Sequence, residues 1–154
     1  MSRWFALVAR VGLAGVWLVA GGSKVGDLAA SVRAVHAYKL LPYGVSEVVG
    51  AMLPMVELLL GVVLLAGIGT RYAACVSAAL STVFIVGISS AWARGLRIDC
   101  GCFGGGGELE AGRSTNYFWK ILLDVALFAA AAFLIRRPRS RWSLDDVVSR
   151  KGRA

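Results

Sequence analysis

Four long stretches of the chain are almost wholly apolar, with polar residues gathered between them. They run from about residue 5 to 25, 45 to 66, 72 to 93 and 117 to 135, and the third contains no charged residue. A helix that crosses a bilayer needs about 20 mostly apolar residues, which each stretch comes close to or exceeds. The pattern predicts an all-α integral membrane protein, folded as a four-helix bundle.

The first stretch also resembles a cleaved signal peptide, with Leu18-Val19-Ala20 before the cut. However, Arg10 interrupts its apolar run. Removal of residues 5–25 would also leave three spans, with the chain ends on opposite sides of the membrane. We therefore predict that this stretch remains as the first span.

The composition agrees with lipid as the solvent. Of 154 residues, 58% are hydrophobic and 17% are charged, and the mean hydropathy is +0.70. A soluble domain of this size cannot bury so much apolar surface. These values exclude a soluble enzyme, a disordered chain and a nucleic-acid-binding module, so we expect no nucleic-acid partner.

The formal charge of +8 is unevenly distributed. Arg3, Arg71 and seven basic residues between 136 and 154 share one predicted side of the bundle. The other side carries Lys24, Arg33, Lys39, Arg94, Arg97 and Arg113 in longer loops. The positive-inside rule then predicts that both termini are cytoplasmic. The membrane we expect is a bacterial plasma (inner) membrane. We divide the chain into a membrane domain, 1–135, and a basic cytoplasmic tail, 136–154.

Two loops face the outside in this orientation. Residues 26–44 have apolar positions at helical spacing, which predicts an amphipathic helix at the interface that ends before Pro42. Residues 94–116 form the second loop. On the cytoplasmic side, residues 67–71 predict a tight hairpin, and Ser143 begins a short helix in the tail.

The second outer loop contains Cys100-Gly101-Cys102. Their Cα atoms would lie about 5.5–7 Å apart, at the upper edge of disulfide geometry. So small a ring would be strained, easily reduced and of little structural value. Disulfides also persist on the outer side of the membrane. The pair is therefore the candidate redox site, with the glycines after Phe103 leaving the loop able to move.

Other interpretations of the cysteines remain open. In the first alternative, the two thiols are free structural groups. In the second, they are half of a metal site. Zinc prefers four ligands and the loop offers only the thiols and Asp99, so we predict no metal. Asp99 would raise a thiol pKa, whereas Arg97 and Arg94 would lower it. Cys75 lies roughly 25 Å away and is predicted to be a small buried hydrophobe.

Several charged residues fall inside the spans, where they are usually paired or functional. Glu57 and Arg10 lie about 18 Å and about 22 Å below the outer ends of their helices, which predicts an ion pair. Lys24 is placed near Asp124 and Lys120, which are themselves four residues apart. A structural role is favoured, with a proton relay or a quinone contact as the alternative.

Proline, glycine and aromatic residues add local predictions. Pro54 frees the carbonyl of Gly50 and predicts a kink. Six glycines are expected at close helix contacts: Gly12, Gly15, Gly21, Gly22, Gly50 and Gly61. Five aromatic residues near the outer interface predict a belt in preference to a quinone pocket: Trp92, Phe103, Tyr117, Phe118 and Trp119.

The chain resembles the methylamine utilisation protein MauE and its DoxX-like relatives over roughly residues 3–135. The matching residues are Ala20-Gly21-Gly22-Ser23-Lys24, Tyr38-Lys39-Leu40-Leu41-Pro42, Leu53-Pro54, Glu57-Leu58, Gly61, Gly67, Arg71, Gly95, Asp99-Cys100-Gly101-Cys102-Phe103-Gly104 and Asn116. The resemblance implies a four-helix membrane protein with a role in extracytoplasmic disulfide formation or thiol transfer. It also implies a thioredoxin-like partner. In that family, the role is associated with maturation of the disulfide-rich small subunit of methylamine dehydrogenase.

The leading hypothesis is a membrane thiol–disulfide carrier in which Cys100 and Cys102 exchange with a thioredoxin-like protein, coupled to a membrane quinone. A non-enzymatic assembly subunit and a small-molecule transporter that uses Glu57, Arg10 and Asp124 are the alternatives. Whether the protein is an enzyme, which cysteine attacks, and whether it forms homo- or hetero-oligomers stay open.

Overall fold

A computed structural model describes residues 2–103, 105–109 and 115–137. Five helices and one small ribbon make up these parts of the chain. The helices are α1 (Ser2–Val25), α2 (Leu28–Ala37), α3 (Tyr43–Ala66), α4 (Thr70–Ala93) and α5 (Tyr117–Arg136); the strands are β1 (Ile98–Asp99) and β2 (Gly107–Glu108). The predicted tail helix at Ser143 lies outside the described residues.

Four of the five helices are long and apolar enough to cross a membrane. The candidate spans are Trp4–Val25, Tyr43–Ala66, Thr70–Ala93 and Tyr117–Arg136, which agree with the predicted spans to within two residues. Only 22% to 39% of each span is buried inside the bundle. The outward surface instead carries large apolar side chains such as Phe5, Leu59 and Val83. An apolar exterior on an apolar interior confirms the predicted membrane protein.

Helix α1 packs on α3, and α4 packs on α5, while α1 also contacts α5. Glycine permits the first of these contacts. A Cβ atom on Gly21 would lie 2.8 Å from the carbonyl oxygen of Pro54, and one on Gly61 would lie 3.0 Å from the backbone nitrogen of Leu18. The predicted close helix contact is absent at three other glycines. Nothing lies within 4 Å of a Cβ placed on Gly12, Gly15 or Gly22.

Helix α2 confirms the helix predicted in the first outer loop, but it does more than lie at the interface. Asp27 caps its start by accepting a hydrogen bond from the backbone N–H of Ala30 at 2.8 Å. Its buried face consists of Ala30, Ser31, Ala34 and Ala37. Small residues on this face let α2 dock closely against α3, so that it becomes part of one end of the bundle.

Pro54 leaves one backbone carbonyl of α3 free to accept a hydrogen bond from α2. Since proline has no N–H, the carbonyl of Gly50 loses its helical partner, as the sequence predicts. The hydroxyl of Ser31 donates to that carbonyl at 2.7 Å. The carbonyl that lacks a partner within α3 is therefore hydrogen-bonded by a side chain of α2.

The turns on the two sides differ in construction. The predicted hairpin between α3 and α4 is confirmed, with Gly67 in the left-handed region at φ +69° as the C-cap of α3. At the opposite end of the bundle, the glycine-rich loop contains two short strands. Its two strands pair antiparallel, with Ile98 opposite Glu108 and Asp99 opposite Gly107.

Candidate functional site

Cys100 and Cys102 lie immediately after β1, at the end of the bundle that α2 also occupies. Their Sγ atoms are 2.6 Å apart, and the backbone N–H of Cys102 donates to the sulfur of Cys100 at 3.4 Å. Both are free thiols, with Cys100 only 7% exposed. A disulfide needs about 2.05 Å between its sulfurs, so little side-chain movement separates this dithiol from a closed bridge.

The loop that holds the thiols rests on α2. Gly101 has φ +66°, in the left-handed region that side chains disfavour, and a Cβ there would lie 2.6 Å from the Cβ of Ala34. A Cβ on Gly106 would also collide with Ala34. Glycine between the cysteines is therefore required both by backbone conformation and by contact with α2.

Two tyrosines fix the strand that leads to the cysteines. The hydroxyl of Tyr38, which follows α2, donates to the carbonyl of Cys100 at 3.3 Å. The hydroxyl of Tyr117 donates to the carbonyl of Leu96 at 2.5 Å and accepts from the N–H of Ile98 at 3.0 Å. These bonds hold β1 at both ends.

The role of Tyr117 corrects the predicted aromatic belt. Its side chain is buried and hydrogen-bonded within the protein, because its hydroxyl reaches the loop. The other four residues assigned to the belt are exposed: Trp92, Phe103, Phe118 and Trp119. That exposure fits an interfacial position for them.

Lys120, at the start of α5, also lies close to the cysteine loop. Its Nζ lies 3.6 Å from Oδ1 of Asp99 and 5.9 Å from the centre of the Phe103 ring, and its positive charge acts on the Cys100 thiol. The sequence paired Lys120 with Asp124 instead. Its side chain extends toward the loop because Asp99 and a thiolate at Cys100 both attract it there.

The two thiols are electrostatically unequal. The hydrogen bond from the Cys102 thiol lowers the pKa of Cys100 to about 6, with Lys120 adding to this effect against the opposing effect of burial. The same hydrogen bond and burial raise the pKa of Cys102 well above its usual range. Cys100 is therefore the thiol of the pair that ionises more readily. Lys120 provides the positive charge that the sequence assigned to Arg97 and Arg94.

A cleft beside the site gives access to Cys100. Its volume is about 250 Å³, and its lining includes Asp99, Cys100, Asn116, Tyr117 and Lys120. An incoming sulfur atom can therefore meet the Cys100 side of the pair without displacing α2.

Lys24 forms the buried ion pair with Glu57. Its Nζ donates to both carboxylate oxygens, at 2.6 Å and 2.8 Å, and the two side chains are 3% and 0% exposed. The predicted pairing of Glu57 with Arg10 is therefore wrong. That pairing requires the ends of α1 and α3 to be level, whereas Gly21 lies beside Pro54 and Leu58, so α3 extends well beyond the end of α1. Arg10 is also buried, about 16 Å along α1 from Gly21.

The remaining predicted site residues occupy different surroundings. Asp124 is 4% exposed, one helical turn beyond Lys120 on α5. Arg97 is exposed beside the ribbon. Cys75 is exposed on α4, not buried as predicted, because this position faces outward from the bundle.

Some residues of the site had no role assigned from the sequence. Tyr38 and Ala34 belong to α2 and its end, where only an amphipathic pattern was visible. Lys120 was visible as a charge near the start of a span, but its direction toward the cysteines depends on how α5 docks. Tyr38 was noticed only as part of the motif before Pro42.

Comparison with known proteins agrees with this architecture. A family model described as methylamine utilisation protein MauE matches residues 2–137. That range includes all four candidate spans and the cysteine loop. No curated protein and no solved structure gives a significant match. Since the family model covers most of the chain, the protein belongs to the MauE family.

Proposed function

We propose that this protein is a membrane thiol–disulfide redox protein whose active pair is Cys100 and Cys102. The observation that carries the proposal is the 2.6 Å separation of the Sγ atoms of two free thiols. The lowered pKa of Cys100 supports it, because the thiolate is the attacking form. Lys120, Tyr38 and α2 hold that pair at the edge of a cleft. A structural role alone would not need a cation beside one of two adjacent thiols.

The exchange proceeds in two displacements. The Cys100 thiolate attacks one sulfur of a partner's disulfide, forming a mixed disulfide and releasing the partner's other sulfur as a thiolate. Cys102 then attacks Cys100, closing the Cys100–Cys102 bond and releasing the partner as a dithiol. Two electrons pass from the pair to the partner, and the reverse sequence returns them.

A thioredoxin-like protein is the partner we propose, since such proteins present a disulfide that an exposed loop can reach. Turnover in one direction also needs an acceptor or donor of two electrons, for which we propose a membrane quinone. The exposed aromatic residues Trp92, Phe118 and Trp119 suit lipid contact as well as a quinone.

We further propose that the cysteine loop is extracytoplasmic and that both termini are cytoplasmic, with residues 136–154 as a basic tail beyond the 1–135 domain. In support, exposed Arg136 and Arg137 follow the last span at the same end of the bundle as Arg71. A reporter fused after Ala154 should read cytoplasmic, while an impermeant thiol label should reach Cys100 and Cys102 from outside.

Trapping the mixed disulfide tests the function. In a Cys75→Ala background, Cys102→Ser should accumulate a disulfide-linked adduct through Cys100, which dithiothreitol releases. Cys100→Ser is the matched control and should trap little. Mass spectrometry should identify a thioredoxin-like protein in the adduct. If both variants accumulate normally and neither forms an adduct, an assembly or transport role would replace the proposed function.

A further inference from the structure

We propose that Asp124 is the proton acceptor for Cys102 during the second displacement. This inference rests on the proposed thiol–disulfide function and assigns a further catalytic residue to the same site. Helix α5 would then supply two groups one turn apart: Lys120 for the Cys100 thiolate, and Asp124 for the Cys102 thiol.

Position is the first argument. Asp124 follows Lys120 by four residues, which places both side chains on one face of α5. Lys120 on that face lies beside Asp99 and acts electrostatically on Cys100. The negative charge of Asp124 is close enough to Cys102 to raise the pKa of that thiol. Asp124 therefore lies on the face of α5 that carries Lys120, one helical turn further from the cysteine loop.

Incomplete hydrogen bonding is the second argument. Asp124 is 4% exposed, yet its Oδ2 has no hydrogen-bond partner among the described residues. Glu57, the other acid buried in the bundle, has both oxygens bonded to Lys24. An acceptor buried without a partner costs stability and is usually explained by function. Of the two buried acids, Asp124 is the one with an oxygen available to a proton.

The surroundings of Asp124 come from several elements. Lys120 lies on its own helix, Lys24 on α1, and Cys100 in the loop, and each acts on Asp124 electrostatically. Tyr38, at the end of α2, and Cys102 are also within its electrostatic reach. The two lysines are the positive groups among them, and Cys100 is a negative one when ionised.

The chemical step balances without another reagent. In the mixed disulfide, Cys100 is bonded to the partner and carries no charge, so it no longer holds the proton of Cys102 by hydrogen bonding. That proton passes to Oδ2 of Asp124 as the Cys102 sulfur attacks Cys100. The Cys100–Cys102 bond forms, the Cys100–partner bond breaks, and the electron pair leaves with the partner's sulfur as a thiolate. In the reverse direction, Asp124 returns the proton to Cys102 as it departs.

The disulfide reagent 5,5′-dithiobis(2-nitrobenzoate) separates the two displacements. We would use the full chain carrying Cys75→Ala, reduced and reconstituted in lipid nanodiscs. Attack by Cys100 releases a first equivalent of coloured thiolate, and closure by Cys102 releases the second. Asp124→Asn should leave the first phase within about twofold and slow the second at neutral pH by about tenfold or more, the usual size of a lost general base.

The pH profile distinguishes a proton acceptor from a structural residue. In Asp124→Asn the second phase should regain about tenfold per pH unit as direct ionisation of Cys102 takes over. Asp124→Glu should restore part of the rate at neutral pH. Glu47→Gln removes an exposed carboxylate at the start of α3 and should match the parent in both phases.

Each outcome decides one claim. A second phase of equal rate and pH profile in Asp124→Asn overturns the role of Asp124 while the exchange function stands. A parent that keeps one or two reagent groups bound, with no closure, overturns the exchange function itself. Should Asp124→Asn not fold, the parent decides: a second phase that still rises about tenfold per unit between about pH 8 and about pH 9 contradicts the inference.

Discussion

A Cβ atom on Gly101 would lie 2.6 Å from the Cβ of Ala34, so the residue between the two cysteines rests directly on helix α2. Ala34 is itself buried under the loop. The conformation of the dithiol is therefore set by a short helix that does not cross the membrane. Ser31 and Tyr38 extend this arrangement, tying α2 to α3 and to Cys100.

Gly101→Ala should disturb the site through both its φ of +66° and its collision with Ala34. We expect a cost of about 1–3 kcal/mol, the range for a side chain forced into a disfavoured backbone region. Closure of the Cys100–Cys102 bond, followed by thiol alkylation, should slow or stop. Gly12→Ala is the control, since its Cβ meets nothing within 4 Å and alanine suits a helix. Equal behaviour of the two variants would contradict the contact.

The Lys24–Glu57 pair makes a prediction about stability. Lys24→Met or Glu57→Gln alone should each cost about 3–5 kcal/mol, because one buried charge or acceptor is left behind, whereas the double substitution should recover much of the loss. Thermal unfolding of purified protein measures both effects. Lys39→Met breaks an exposed pair with Glu108 and should have little effect. Rescue of Glu57→Gln by an Arg10 substitution, in place of Lys24→Met, would contradict the assignment.

Reactivity of Cys100 should depend on pH as its pKa of about 6 requires. Thiolate is the reactive form, and lowering the pKa shifts its appearance to lower pH. Alkylation by iodoacetamide in a Cys75→Ala background should thus rise through about pH 6 and level off near neutral pH. Cys102, whose pKa is raised, should stay protonated over that range. An inflection for Cys100 at the ordinary thiol pKa would refute the asymmetry.

Removing the positive charge of Lys120 should move that inflection upward. Lys120→Met is expected to raise the pKa of Cys100 by about one unit, the typical effect of one nearby opposite charge. Alkylation near pH 6 should slow, with little change well above the new pKa. Lys39→Met serves again as the control, because Lys39 pairs with Glu108 on the exposed surface. An unchanged profile in Lys120→Met would mean that Cys102 alone stabilises the thiolate.

The sequence predicted the spans well because hydropathy reports directly on the lipid environment, and each span agrees to within two residues. It also predicted the open carbonyl of Gly50, since a missing N–H at Pro54 is a local fact. Pairing between helices was not predictable in this way. Glu57 bonds to Lys24 because α3 extends well beyond the end of α1, which no count along one helix reveals.

The same limit applies to the site. The two cysteines could be found from their spacing and the glycine between them. Their inequality depends on Lys120, whose direction follows from the docking of α5, and on burial beside α2. Tyr117 was assigned to the lipid interface by its residue type, whereas its hydroxyl bonds to Leu96 and Ile98 inside the protein.

The central claim is that Cys100 and Cys102 form a reversible dithiol–disulfide couple in the folded protein. Native membranes carrying the Cys75→Ala variant would be equilibrated with graded ratios of reduced and oxidised dithiothreitol. Free thiols would then be counted by a maleimide mass tag on a denaturing gel. We predict a single transition from two tags to none, reversed by excess reductant, with no singly tagged species. Two tags at every ratio, in protein that is folded, would contradict the account.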